Sequence, residues 1–313
     1  MILCCGEALI DMIPSRTVDG LDSFVPHPGG SVYNTAIALG RLGKTAGLLT
    51  GLSSDLFGSQ LRDALTKSQV DTSHIVESDR PTTLAFVKMV DGQAQYQFYD
   101  ENSAARMLAP SDMPNELPGV NTLFFGGISL ACYPCAEAYA ALLERQGASR
   151  VVMLDPNIRA KFIQDEVIYR ARLSRLMRKV TILKVSDEDL AWLVPDAGDD
   201  LQKASILLGQ GPLLVVVTKG EQGATAYLAN GLRVTVPSQP ADTVDTVGAG
   251  DTFNAGLLAF LAGADLLTKN EIATLSQNAL AQALDFAARV AAITVSRAGA
   301  NPPWADEVTL PGQ

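Results

Sequence analysis

The residues with the most evident chemistry run Asp245-Thr-Val-Gly248-Ala249-Gly250-Asp251, directly ahead of the apolar stretch Thr252–Ala262. Three small residues at a helix start leave backbone N–H groups uncovered, and the helix dipole adds positive potential at the same point. Such a turn holds an anion, best a phosphoryl group whose charge grows in a transition state. A carboxylate is out of place beside a merely bound anion. Asp251 makes sense there if it takes a proton from a hydroxyl attacking phosphorus. The plain alternative is an aspartate helix cap after a glycine turn.

A second segment, Pro28-Gly29-Gly30-Ser-Val-Tyr-Asn34, opens an Ala-rich helical stretch. Paired glycines let a ligand approach the backbone, and Asn34 offers a donor and an acceptor one turn later. That combination suits a polyhydroxylated ligand; by itself it is also an ordinary glycine-rich turn. Other motifs fail on inspection. The third glycine of a GxGxxG pattern is Phe253, and Gly43-Lys44-Thr45 lacks the first Walker glycine, which is Ala38. Gly43 also follows its helix and reads as a C-cap. Cys132-Tyr-Pro-Cys135 has no second CxxC or HxxxH to complete a zinc site, so the pair reads as small residues near a helix start. Two histidines are too few for a histidine cluster.

The elements that must carry these segments follow from patterning. The 313 residues are 47% hydrophobic and 19% charged, enough to fill a large core. Short apolar runs alternate with longer amphipathic stretches, the signature of strand–helix–strand units around a mostly parallel sheet. Sheet strands are expected at Ile2–Ile10, Thr45–Gly51, Thr122–Phe125, Val151–Leu154, Thr181–Lys184 and Leu213–Val217. Helices are expected at Ser31–Leu42, Leu56–Ser68, Cys135–Gln146, Glu166–Lys179, Ala204–Leu208, Gly250–Ala262 and Glu271–Val295. Thr82–Val90 and Gln95–Tyr99 around Asp91-Gly92 read as a hairpin. With residues 12–26 they would form a small antiparallel sheet, a lid over the site. Ala224–Leu228 and Arg233–Val236 read as a second hairpin at a sheet edge.

A net charge of −10 argues against nucleic-acid and anionic-membrane partners. No apolar run approaches the ~18 residues of a membrane span, and no basic segment precedes an apolar one at the N-terminus. Four cysteines are too few for a disulfide framework. A cytoplasmic protein is the expectation.

Together, Gly29-Gly30…Asn34 and Asp245-Thr-Val-Gly-Ala-Gly-Asp251 resemble the ribokinase-like (PfkB) carbohydrate kinase family. Between them, Gly6-Glu-Ala-Leu-Ile-Asp11 resembles its opening strand, and Asp155-Pro-Asn157-Ile-Arg159 a strand-end motif of its fructokinase and 2-keto-3-deoxygluconate kinase branch. Thr218-Lys-Gly220-Glu-Gln-Gly223 resembles its nucleotide-binding turn. The resemblance spans residues 1 to about 300. It implies one three-layer α/β/α domain over residues 1–313, with lid strands inserted at about 12–26 and 82–105. It implies Asp251 as general base and the amides of Gly248, Ala249 and Gly250 as an anion hole. Asp11, Gly29, Gly30, Asn34 and Tyr99 would hold the sugar. Asn157 and Arg159 would lie near the ATP phosphates, Arg159 also on the sugar side, with Lys184, Thr218, Gly220 and Gly223 along the nucleotide. The family uses Mg²⁺ on the phosphates, here through water at Asp189, and many members respond to K⁺ near the loop holding Asp245.

Two departures bear on the substrate. Ser186-Asp187-Glu188-Asp189 stands where relatives often carry Asn-x-x-Glu. Asp100 follows Phe98-Tyr99 where relatives acting on 2-keto-3-deoxygluconate tend to carry Arg, so a sugar acid should meet like-charge repulsion. The expectation is an ATP-dependent fructokinase, dimeric through its lid. A 2-keto-3-deoxygluconate kinase and a catalytically silent sugar-binding regulator are the alternatives.

Overall fold

The computed structural model describes residues 1–90, 93–196 and 198–308. The opening apolar run is two strands rather than the single strand expected. β1 (Ile2–Cys5) lies in the main sheet, the chain turns at Gly6-Glu7-Ala8, and β2 (Leu9–Arg16) leaves for the lid. β3 (Asp22–Gly29) returns antiparallel to β2 and delivers the chain to α1 (Ser31–Arg41). β4 (Ala46–Leu49), β5 (Gly51–Ser53), α2 (Leu56–Lys67) and β6 (Val76–Ser78) follow. β5 and β6 pair in a short parallel ribbon that the residue pattern did not suggest.

β7 (Leu84–Val90) and β8 (Gln93–Tyr99) form the expected antiparallel hairpin; its Asp91-Gly92 turn lies outside the described residues. Then come β9 (Thr122–Gly126), α3 (Cys135–Gln146), β10 (Val151–Asp155), α4 (Glu166–Met177) and β11 (Ile182–Ser186). α5 (Asp187–Leu193) was not anticipated, although Ser186 and Asp189 form a capping box that marks its start. α6 (Asp200–Leu208) leads to β12 (Leu214–Thr218), and β13 (Ala224–Leu228) and β14 (Arg233–Val236) form the edge hairpin. α7 (Ala249–Gly263) begins at the glycine turn. The single helix expected over Glu271–Val295 is instead α8 (Lys269–Ala273) and α9 (Gln277–Val295). The first ends at Thr274, and Ser276 caps the second, its Oγ accepting from Ala279 N–H at 3.2 Å.

The main sheet has the order β14-β13-β12-β11-β10-β9-β1-β4, parallel from β12 through β4. Strand alternation divides its side chains between two cores. Cys4, Phe124, Met153 and Ile182 pack under α1, α2, α7 and α9; Cys5, Phe125, Leu154 and Leu183 pack under α3 to α6. The result is three layers, with the glycine turns gathered at the carboxyl ends of the parallel strands, where open α/β sheets place ligands.

The lid is a separate sheet of order β3-β2-β7-β8, mixed rather than antiparallel as expected, because β2 and β7, the inner strands of two hairpins, run parallel. Asp11 stands opposite His27 and beside Ala85, which stands opposite Phe98, so these four residues share one face. Phe24, Phe86 and Tyr99 occupy the other face in an edge-to-face row, centroids 5.0 and 5.4 Å apart. Among the described residues no helix is long and apolar enough to cross a membrane.

Candidate active site

Asp251 is buried in the first turn of α7, 220 residues from the Ser31 hydroxyl that donates to its Oδ1 at 2.8 Å. Asn34 Nδ2 donates to Oδ2 at 2.9 Å, and Thr35 Oγ1 to the Asp251 carbonyl at 3.1 Å. The two glycine-rich segments are thus stitched into one site by the first turns of α1 and α7. Burial pushes the Asp251 carboxyl up to about 6, against the opposing pull of the Asn34 and Ser31 hydrogen bonds. At neutral pH it is an ionised base with two fixed donors, not a helix cap.

Gly248 takes up the left-handed backbone that opens α7, with φ 80°, and a Cβ there would lie 2.6 Å from Ala300 Cβ. The Ala249 amide donates to Thr246 O at 3.3 Å, so of the three expected amides those of Gly248 and Gly250 are the ones without a backbone acceptor. Behind them stands Lys184: a Cβ on Gly250 would be 3.1 Å from its Nζ. Lys184 is buried in the middle of β11 and donates to Asp155 Oδ2 at 3.0 Å. Asp155 also accepts from Asn254 Nδ2 at 2.7 Å and from Asn157 N–H at 3.2 Å. A buried ammonium therefore adds to the helix dipole below the turn, with its charge compensated on the far side.

Asp11 projects from β2 over Gly29, where a Cβ would fall 2.1 Å from its Oδ2; only glycine leaves room for the carboxylate. Burial, and then the charge of Asp251, raise Asp11 to about 7. Gly30 caps α1 without a side chain. Tyr96, from the lid, is held above the ordinary phenol range by burial and then by Asp11, with Arg159, Asp245 and Asp251 also acting on it. It lies over the site with Phe98, which meets Phe162 of the loop after β10 at 4.5 Å. Tyr99 is not brought there. It points from the opposite face, 51% exposed, because successive strand residues alternate.

Asn157 adopts a left-handed φ of 43° and donates from Nδ2 to the Ser31 hydroxyl at 3.0 Å. Arg159 is exposed and turned toward its own loop, its Nη1 3.2 Å from Ile158 O. Thr218 ends β12, and Gly220 and Gly223 shape the turn into β13, where Lys219 N–H donates to Gly223 O at 2.8 Å. Asp189 accepts from Ile158 N–H at 3.0 Å and Ser186 N–H at 3.5 Å, bracing the Asn157 loop against α5. Asp245 accepts from Val247 N–H at 3.0 Å and Gly299 N–H at 2.9 Å, which pins the glycine turn to the segment after α9.

Several site residues received no role from the sequence patterns. Ser31 hydrogen-bonds to three segments and Glu7 to two, and Tyr96 replaces Tyr99; Glu7 could have been noticed as an acid inside an apolar run. The Cys132 and Cys135 thiols are free, and burial raises both, Cys132 to about 12, the reverse of a reactive pair. Asp100 is buried in an ion pair with Arg106 at 2.6 Å, and Arg106 Nε also donates to Tyr133 O at 3.0 Å. Its charge is spent, so the expected repulsion of a sugar acid does not follow.

The family of pfkB carbohydrate kinases matches residues 1–307. A fructokinase of Rhizobium leguminosarum bv. trifolii is 50% identical over 280 residues, covering 90% of this chain and 85% of that protein. The crystal structure of a Xylella fastidiosa fructokinase with bound ATP superposes with a TM-score of 0.87 at 28% identity, covering 98% of this chain and 96% of that one. A Vibrio cholerae fructokinase double mutant with fructose, ADP and potassium ion bound gives 0.81 at 25% identity, covering 96% and 93%. By this match along nearly its whole length, with a buried carboxylate set at the glycine turn, the chain belongs to the pfkB family of carbohydrate kinases.

Proposed function

We propose that this ATP-dependent sugar kinase phosphorylates D-fructose, giving fructose 6-phosphate and ADP. The 50% identity to a fructokinase carries the choice of sugar. The chemistry rests on Asp251, an ionisable base beside the amides of the glycine turn. Asp11 and Asn34 hold sugar hydroxyls, Gly29 and Gly30 let the sugar approach, and Tyr96 and Phe98 close the lid above it and exclude water. Asp251 takes the proton of the attacking hydroxyl. The amides of Gly248 and Gly250, with Lys184 behind them, stabilise charge on the transferred phosphoryl group. Asn157, Arg159, Thr218, Gly220 and Gly223 flank the nucleotide along the strand ends.

Mg²⁺ on the phosphates would supply further charge stabilisation. Asp189 already serves two backbone amides, so it fits a water-mediated contact better than direct ligation. Asp245 likewise fits a role toward K⁺ by fixing its loop, since each oxygen already accepts an amide. The Phe24–Phe86–Tyr99 face supports a homodimer through the lid, as Phe24 is 46% exposed in the single chain.

A 2-keto-3-deoxygluconate kinase is the second reading, favoured by the Asp100–Arg106 pair, which removes the repulsion that would have excluded an acid. ADP release from Mg-ATP across fructose, other hexoses, 2-keto-3-deoxygluconate and nucleosides decides between them. Fructose should lead by at least ~10-fold in kcat/KM. Faster turnover of the acid assigns the second reading, and no turnover with any acceptor would mean a silent binding protein.

A further inference from the structure

Ser31 opens α1, and its groups reach in three directions. The backbone N–H donates to Glu7 Oε1 at 3.1 Å, and the hydroxyl donates to Asp251 Oδ1 at 2.8 Å. The same hydroxyl accepts from Asn157 Nδ2 at 3.0 Å. A hydroxyl has one proton, so with Asn157 donating into it, that proton is directed to Asp251. Glu7 makes the arrangement rigid. It is buried between two turns, its Oε2 accepting from Ser129 Oγ at 2.6 Å and Ser129 N–H at 3.3 Å, and it supplies the cap that Gly30 lacks.

We propose that Ser31 is a positioning residue for the Asp251 carboxylate, fixing its plane from an anchor at Glu7 and tying it to the loop that carries Asn157. The inference rests on Asp251 being the general base. Each carboxylate oxygen has two acceptor sites. Ser31 takes one on Oδ1 and Asn34 one on Oδ2, which stops rotation and leaves a site on each for a substrate hydroxyl. Asp11 from β2, Asp155 from β10 and Lys184 from β11 face Asp251 through charge; Ser31 and Asn34 face it from α1 through hydrogen bonds.

The test compares wild type, Ser31→Ala, Ser31→Thr and Asp251→Asn in kcat, KM and the pH profile of kcat/KM. Ser31→Ala should lower kcat about 3- to 10-fold, with KM for sugar and ATP within about two-fold. Because the lost hydrogen bond favours the ionised base, the acid limb should move up by roughly half a pH unit. Ser31→Thr, which keeps the hydroxyl, should restore most of both. An unchanged kcat and acid limb in Ser31→Ala overturns the proposal, as does a change confined to KM. A kcat loss with an unmoved acid limb and no rescue by threonine marks general packing damage and also overturns it. Substantial activity in Asp251→Asn refutes the general-base reading itself; an inactive Asp251→Asn beside a wild-type-like Ser31→Ala refutes only the role of Ser31.

Discussion

The carboxyl ends of the main sheet and the lid sheet contribute to the same site by different means. Around Asp251 the polar groups are tied to one another: Ser31 and Asn34 donate to its carboxylate, Lys184 to Asp155, and the Gly299 amide to Asp245. The lid presents Asp11 and Tyr96 on a four-stranded sheet whose other face is half open to solvent. The proposed function puts chemistry on a frame with both faces covered and part of the recognition on a sheet with one. Loss of a group should therefore act on kcat in the first region and on KM or assembly in the second.

Asp251→Asn should give the largest effect, a fall in kcat of roughly 10²–10⁴ with sugar affinity within a few-fold. The amide also faces the Ser31 and Asn34 donors, which it cannot both satisfy. Steady-state kinetics with a direct sugar-binding titration checks this, and more than half of wild-type kcat would remove Asp251 from its role. Lys184→Met comes next. It strands a buried Asp155 and should cost about 3–5 kcal/mol of stability, with kcat down at least ~10-fold. Denaturant unfolding and kinetics on the same preparation would show a mere surface charge if neither quantity moved.

Within the lid, the comparison narrows to two tyrosines three residues apart. Tyr96→Ala should raise KM for sugar about 5- to 20-fold with kcat less affected, since its ring closes over Asp11. Tyr99→Ser should leave KM alone and weaken the proposed lid dimer, read by sedimentation-based mass measurement at micromolar concentration. Reversed outcomes would reverse the two faces of the sheet.

The smallest effect concerns pH. Burial raises Asp11 to about 7 from an ordinary value near 4, so the fold favours its protonated form. That contribution to stability is complete below about pH 4 and is lost as pH rises through 7. Asp11→Asn should therefore raise Tm by a few degrees at pH 8 and by little at pH 4, while weakening sugar binding. Equal Tm shifts at both pH values would show that Asp11 is not held protonated by the fold.

The two glycine turns were legible because uncovered backbone is a local property, written in consecutive small residues. The strand–helix alternation was legible for the same reason, and so was the edge hairpin. What escaped depends on register and on distant partners. Tyr96 and Tyr99 have the same chemistry, and only the pairing of β7 with β8 decides which faces Asp11. Asp100 read as an uncompensated charge although Arg106 lies only six residues on, because the turn that closes from Asp100 O to Ser103 N–H and brings the two side chains together is not written in the residue types. The split of Ile2–Ile10 was hidden inside a continuous apolar run, since hydrophobicity does not say which of two sheets a strand joins.

Glu7 also constrains how this chain can change. A Cβ at Gly127 would fall 1.9 Å from its Oε1, and one at Gly30 lies 3.3 Å from its Cγ and 3.0 Å from its backbone oxygen. Positions 7, 30 and 127 are therefore not independent letters. A side chain at Gly127 is barred while the carboxylate remains, and losing the carboxylate first leaves the amides of Ser31 and Ser129 without an acceptor, although the Ser129 hydroxyl keeps Gly126 O. Any path away from this trio passes through a less stable intermediate, so a library varying the three sites together should recover combinations that stepwise replacement never reaches.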